Sequence, residues 1–219
     1  MKNILDILKE TNALIADDHF VYTSGKHGSV YINKDAIYPH TQKASEVGML
    51  FAEKVTDKDI DVVVGPALGG IILSQWTAYH LSKLKNKEVL SVYTEKSPDK
   101  NQVFARGYDK LVKGKKVLVV EDLTTTGGSV KKVVNSVGNA GGTVVTVGVM
   151  IDRSPNGMTQ DLIGAPFFTL GVLPAEAFDE KTCPLCQKNI PINTTVGHGK
   201  KYLEQKAERE PMAGIEPAT

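Results

Sequence analysis

Only two cysteines, Cys183 and Cys186, occur among 219 residues. That rules out a disulfide framework and points to a reducing compartment, while the length is enough to bury a sizeable core without staples. Long apolar runs are also missing. The richest, Thr143 to Ile151, is about half the length a membrane-spanning helix needs. At the amino terminus, Asp6 and Lys9 interrupt the apolar residues, so no signal peptide is read there; Ile4, Leu5 and Leu8 suit one face of a short amphipathic helix. An excess of one charge is lacking too. Lys plus Arg is 26 against 25 Asp plus Glu, a net of +1. This argues against a coat for nucleic acid or an anionic membrane without excluding a local basic site. Hydrophobic residues at 41% and charged residues at 23% exclude a largely disordered chain. A cytoplasmic protein with one large domain, and neither nucleic acid nor membrane as partner, is expected.

What is present is an alternation of short Val- and Ile-rich stretches with helical patterns. Ile60–Val64, Glu88–Tyr93, Lys116–Val120 and Thr143–Ile151 read as buried strands, with Phe167–Leu170 a weaker fifth. Strands apolar throughout are covered on both faces, as in a parallel sheet. Between them, Gly70–Lys85 carries Ile71, Ile72, Gln75, Trp76, Tyr79 and Leu84 at helical spacing, and Ser129–Asn139 carries Val130, Val133, Val134 and Val137. Gly141 and Gly142 stop the second helix. This order predicts an α/β fold with right-handed crossovers. Asp18–Tyr38, mixing Gly, Ser, Lys, His and Tyr, reads as short irregular strands outside the main sheet. Thr94–Tyr108 is polar and aperiodic and reads as a long mobile loop, a length uncommon unless functional. Residues 207–219 have no pattern and read as a disordered tail.

The most informative stretch is Val117-Leu-Val-Val-Glu-Asp-Leu-Thr-Thr-Thr-Gly-Gly-Ser-Val130. An apolar strand ends in two carboxylates, Glu121 and Asp122, at the edge where open α/β sheets bind ligands. A loop of Thr, Gly and Ser, Thr124–Ser129, then opens a helix. Its glycines let backbone N–H groups converge on a phosphate, its hydroxyls add donors, and the helix dipole favours negative charge. Carboxylates beside a phosphate cradle need something between them, and a ribose 5′-phosphate supplies it: phosphate in the loop, hydroxyls on the acids. A P-loop would carry Lys after its last Gly, but Ser129 follows Gly128; no dinucleotide Gly-x-Gly-x-x-Gly follows any strand. The plainer alternative is an acidic strand end before an ordinary helix start, where Ser, Thr and Gly are common.

This stretch resembles the phosphoribosyl-diphosphate (PRPP) signature of the type I phosphoribosyltransferases. The resemblance implies that Glu121 and Asp122 are catalytic and bind PRPP together with Leu123, Thr124, Thr125, Thr126, Gly127, Gly128 and Ser129. A second loop, Val62-Val-Val-Gly-Pro-Ala-Leu-Gly-Gly70, has the tight Gly/Pro chemistry that exposes amides to an anion, or else is a simple strand-to-helix turn. In the family it matches the diphosphate loop, here Ala67, Leu68, Gly69 and Gly70. Many orotate-type members carry a Lys there; Gly69 and Gly70 leave the work to backbone. Departing diphosphate needs cations. The stretch Tyr93–Tyr108 offers Lys96, Lys100 and Arg106, and the resemblance implies that Lys96 and Lys100 serve catalysis, Lys96 also binding PRPP, from a loop that closes over the diphosphate, often on the neighbouring subunit. The family's usual His-Gly pair is absent from it.

Phe20-Val-Tyr-Thr-Ser-Gly-Lys-His-Gly-Ser-Val-Tyr-Ile-Asn-Lys34 is similar to the amino-terminal hood of the orotate phosphoribosyltransferases, with Gly28 as an extra residue and Thr23 where some members have Lys. Its aromatic and polar residues suit a lid over a flat pyrimidine. Arg153 follows a buried strand at the same edge as Asp122, and a guanidinium binds a carboxylate such as that of orotate through two parallel bonds. The resemblance gives the orotate contacts to Arg153 and Thr125.

The matches run from about Phe20 to about Ile192. They imply a type I phosphoribosyltransferase fold over residues 1–206, a mostly parallel central sheet flanked by helices, with a hood of residues 1–40 and part of the carboxyl-terminal region. They imply transfer of phosphoribose from PRPP to orotate in pyrimidine biosynthesis, Mg²⁺ bridged through PRPP with no direct protein ligand, and a homodimer sharing the mobile loop. Alternatives are transfer to a purine or uracil, and a non-catalytic PRPP-sensing regulator. Cys183-Pro-Leu-Cys186 supplies half a zinc site, which His198 or a partner chain could complete, or two plain thiols in a turn.

Overall fold

The computed structural model describes residues 3–174 and 176–209. They fall into two compact units, one of residues 14–33 with those after 174, the other of residues up to 13 with 34–174.

The smaller unit has four two-residue strands: β1 (Leu14–Ile15), β2 (Phe20–Val21), β3 (His27–Gly28) and β4 (Tyr31–Ile32). β1 pairs with β4 and β2 with β3, both antiparallel. Its sequence is too polar and too broken by Gly and Ser for longer strands. Gly28 has a steric reason: a Cβ there would lie 2.6 Å from the Glu176 carbonyl oxygen and against the Tyr22 ring. His27 and Phe178 exchange both backbone hydrogen bonds at 2.8 Å, joining the hairpin to the carboxyl-terminal segment. That segment forms a one-turn helix, Pro184–Gln187, and a longer one, Gly199–Arg209. The second helix runs past Ala207, where a patternless tail is expected; residues 210–219 lie outside the described residues. His198, a candidate third ligand beside the cysteines, instead bonds the Thr23 hydroxyl at 3.0 Å through Nε2.

The larger unit is built on strands β5 (Val62–Pro66), β6 (Leu90–Lys96), β7 (Gln102–Val103), β8 (Lys116–Thr124), β9 (Thr143–Asp152) and β10 (Phe167–Val172). Their order is β10-β9-β8-β5-β6-β7, parallel except for β7, which returns antiparallel to β6. Val62, Val64, Val117, Val119, Val147 and Val149 meet in one buried cluster. The helices are α1 (Ile4–Glu10), α2 (Thr41–Glu53), α3 (Gly69–Lys85), α4 (Asp109–Val112), α5 (Gly128–Asn139) and α6 (Gln160–Ile163). A reciprocal cap starts α1: Asn3 and Asp6 side chains each accept the other's amide at 3.1 Å. Val130, Val133 and Val137 of α5 are buried at helical spacing, and so are Val47 and Phe51 of α2. Among the described residues no helix is long and apolar enough to cross a membrane.

Two differences from the sequence reading bear on function. The segment Thr94–Tyr108, expected as one long loop, begins as a hairpin in which Glu95 faces Val103 and Lys96 faces Gln102. β8 does not stop at Val120 but continues to Thr124, because β9 pairs with it through the Thr124–Asp152 register.

Candidate active site

The pairing that extends β8 carries its two acids into a buried setting. Glu121 is 6% and Asp122 5% exposed. Burial, and secondarily the Asp122 charge, holds the Glu121 carboxyl well above the usual carboxylate range. Its Oε1 accepts the Asp122 amide at 3.0 Å. Asp122 is satisfied differently: Oδ1 accepts the Leu123 amide at 2.7 Å, and Oδ2 accepts the Lys34 ammonium at 2.6 Å and the Tyr38 hydroxyl at 3.1 Å. Burial opposes the Lys34 charge, but the Asp122 carboxylate outweighs it and raises its pKa. Burial first, then Asp122, keeps Tyr38 protonated. One acid thus leans toward its neutral form while the other carries an ion pair.

The chain then turns sharply. Thr124 Oγ1 accepts the Gly127 amide at 3.1 Å, and Gly127 takes φ 73°, a left-handed conformation that glycine adopts freely. Thr125, Thr126, Gly128 and Ser129 are exposed. No side chain caps α5, so the amides of its first turn stay open to an anion.

β5 ends in the second loop, where the Ala67–Leu68 peptide is cis. The expectation of open amides holds only in part, since Ala67 N–H is spent on the Thr94 carbonyl at 2.8 Å. Leu68 is 81% exposed. Gly69 abuts the Asp122 carboxylate and the Tyr38 hydroxyl, and a Cβ on it would lie 3.1 Å from Tyr38 Cζ. A side chain at that position would have to push the Asp122 carboxylate and the Tyr38 ring aside, and Lys34 already places a cation beside the same acid. At Gly70 a Cβ would meet Pro66 Cδ at 2.6 Å, which keeps loop and helix start in close apposition.

A cleft of about 380 Å³ lies between these loops, lined by Lys34, Ala67, Leu68, Gly69, Lys96, Lys100, Gln102, Glu121, Asp122, Leu123, Ser129 and Lys132. Lys96 and Lys100 are exposed on the β6–β7 hairpin. Lys132 Nζ donates to the Lys100 carbonyl at 2.6 Å, tying the hairpin tip to α5. Arg106, the third candidate cation, is turned to Glu95, with Nε 3.0 Å from its carboxylate. Arg153 is half-buried just beyond β9, and its amide donates to the Thr124 carbonyl at 2.8 Å, so it stands beside the phosphate loop. Asp152 shapes that turn by accepting Ser154 N–H at 2.8 Å, the Ser154 hydroxyl at 2.6 Å and Met158 N–H at 3.1 Å.

The sequence reading missed three cleft residues, Lys34, Gln102 and Lys132, and Tyr38 beside them on Asp122. Lys34 ends the hood-like segment and Tyr38 follows one turn later, but nothing local ties either to Asp122, 88 and 84 residues away. Gln102 and Lys132 lie near recognised motifs, and Lys132 sits one helical turn past the phosphate loop, a spacing that could have flagged it.

Comparison with known proteins gives a consistent result. Residues 33–161 match the family described as the phosphoribosyl transferase domain. An orotate phosphoribosyltransferase of Caldicellulosiruptor bescii is 39% identical over 188 residues, covering 86% of this chain and 93% of that protein. Another from Thermotoga maritima is 37% identical over 199 residues, covering 90% of this chain and 100% of that one. Among solved structures, that of Mycobacterium tuberculosis orotate phosphoribosyltransferase in complex with PRPP has a TM-score of 0.61 and 22% identity, covering 78% of this chain and 97% of that one, and shares the fold.

Proposed function

Because this chain belongs to the orotate phosphoribosyltransferases within the phosphoribosyl transferase domain family, we propose that its cleft transfers phosphoribose from PRPP to orotate, giving orotidine 5′-monophosphate and diphosphate. The observation that carries this reading is the buried Glu121–Asp122 pair lying just ahead of the uncapped start of α5. A ribose 5′-phosphate asks for both at that spacing. Its phosphate would rest on the amides and hydroxyls of Thr124–Ser129, and its binding energy would fix C1 against the base. The 2′- and 3′-hydroxyls would reach Glu121, which can donate as well as accept, and Asp122.

In the transfer, the C1–O bond breaks and its electron pair leaves with diphosphate. The ribose ring takes on positive charge, which the Asp122 carboxylate and the adjoining Glu121 carboxyl would stabilise from their buried positions. Orotate N1 supplies the pair for the new C1–N bond, and its proton passes to solvent; we name no general base. Lys96, Lys100 and Lys132 on the rim would meet the departing diphosphate, joined by Lys34 once ribose takes its place on Asp122. Ala67, Leu68, Gly69 and Gly70 would shape the diphosphate loop. Arg153 and Thr125 would hold the orotate carboxylate and ring edge. Both Asp122 oxygens already accept protein donors, so Asp122 would give Mg²⁺ no direct ligand and the ion would enter with PRPP. That ion would neutralise the leaving group. A cytoplasmic homodimer that shares the Lys96–Lys100 hairpin, which here lines the chain's own cleft, completes the proposal.

The test is to mix the purified chain with PRPP, Mg²⁺ and a panel of bases. Loss of orotate absorbance is expected; consumption of hypoxanthine in its place would overturn the reading. Arg153→Ala should abolish orotate turnover while PRPP binding persists, and turnover surviving that change would remove Arg153 from the base site.

A further inference from the structure

The smaller unit holds a side-chain cluster that phosphoribosyl transfer does not use. Cys183 precedes the one-turn helix Pro184–Gln187 and Cys186 lies within it, so the x-x spacing turns both sulfurs to one side. His19 immediately precedes β2 and His27 opens β3 opposite Val21, two residues on from His19, so the two rings meet diagonally across the hairpin. His19 Nε2 lies 2.8 Å from His27 Nδ1, 3.8 Å from Cys183 Sγ and 3.7 Å from Cys186 Sγ, and Cys186 Sγ lies 3.3 Å from His27 Nδ1. All four donor atoms lie within 4.8 Å of one another; three of the residues are buried and Cys186 is half-buried.

We propose that His19, His27, Cys183 and Cys186 of a single chain form a structural zinc site. A tetrahedral ion with nitrogen at about 2.0–2.1 Å and sulfur at about 2.3 Å holds its ligand atoms roughly 3.3–3.8 Å apart. The three sulfur contacts fall within that range and the imidazole pair needs to open by about half an ångström. The protons are also arranged for a metal. His19 Nδ1 lies 2.7 Å from the Ile190 carbonyl, so it is the protonated nitrogen and leaves the Nε2 lone pair facing the cluster. An imidazole fixed through its far nitrogen by a carbonyl is the usual outer support of a metal-bound histidine. The His19 carbonyl in turn accepts the Asn193 amide at 2.7 Å, so ring and backbone are both gripped.

The donor set chooses the ion. Two thiolates and two imidazoles suit zinc and disfavour the hard cations Mg²⁺ and Ca²⁺. Four protein donors fill a tetrahedral shell and leave no position for substrate, so the site is structural. Binding releases the two thiol protons. The need is plain in a unit whose strands are two residues each: the ion fastens the β2–β3 hairpin to the carboxyl-terminal segment where little apolar core exists to do so.

The experiment uses the untagged full chain purified without chelator from zinc-containing medium. Elemental analysis should find one zinc per chain, and both thiols should resist a thiol reagent until a mercurial displaces one equivalent of zinc into a colorimetric indicator. Cobalt substitution should give thiolate-to-metal charge transfer and the visible bands of a tetrahedral ion. Cys186→Ser should weaken retention at least tenfold, while His198→Ala retains the full equivalent. Should Cys186→Ser fail to fold, displacement from the wild-type chain decides alone. Freely reactive thiols with under a tenth of an equivalent of zinc, a Cys183–Cys186 disulfide, or stoichiometric iron would each overturn the proposal.

Discussion

Replacing Lys34 by Met tests the electrostatics of the cleft directly. The ammonium lies 2.6 Å from Asp122 Oδ2, the lysine side chain being 32% exposed and the aspartate 8%. Breaking a fully buried pair by removing one partner costs about 3–5 kcal/mol, whereas exposed pairs contribute about 0–1 kcal/mol. Solvent reaches the lysine end, and Asp122 keeps the Tyr38 hydroxyl and the Leu123 amide, which places Lys34→Met at about 2 kcal/mol. For a chain of this size that is roughly 4–8 °C in Tm. Urea unfolding should show a lower midpoint with an unchanged slope. The pH dependence gives a second readout. Because folding raises the Lys34 pKa, its contribution is fully present below the ordinary lysine value of 10.5 and is lost as pH rises through the raised value. The gap between wild type and variant should therefore be steady from neutral pH to that point and close above it. A loss under about 0.5 kcal/mol, or a gap that persists in strong alkali, would refute the reasoning.

Glu121→Gln should lose most turnover yet gain stability relative to wild type as pH rises. The raised carboxyl favours folding below its ordinary value of 4.5 and costs stability as pH climbs through the folded value, so Tm compared at acid and at mildly alkaline pH reads the sign. In steady-state kinetics, Lys96→Ala and Lys100→Ala should each lower kcat, whereas Arg106→Ala, with its guanidinium on Glu95, should leave it nearly unchanged. Equal losses at all three would mean the hairpin rearranges on binding. Phe51→Ala, at a wholly buried ring packed edge-on to Phe168, should cost about 3–5 kcal/mol in chemical denaturation with KM for PRPP intact.

Much of the sheet was legible because strands covered on both faces must be apolar throughout, and the Val-rich runs at 62–64 and 117–120 are. The limits of β8 were not, since its last four residues are held by pairing with β9 rather than by their own propensity. The β6–β7 hairpin escaped notice for the same reason: two paired residues leave no periodicity. α2 went unread although Ala44, Val47 and Phe51 mark its buried face. The acid pair and the phosphate loop are contiguous in sequence and could be read as one motif. Lys34, Tyr38 and the His19–His27 pair join their partners only through tertiary folding, and for Cys183 and Cys186 proximity along the chain pointed to His198, which lies elsewhere.

The smaller unit is assembled from residues 14–33 and those after 174, with the six-stranded sheet encoded between them. During synthesis, His19 and His27 emerge about 160 residues before the cysteines, a wait of roughly 10–30 s at ordinary elongation rates. The hairpin must stay unfastened through that interval. A chain ending before Cys183 would keep the β2–β3 hairpin but lack both sulfur ligands, and so could not hold the ion that fastens the hairpin to the carboxyl-terminal segment.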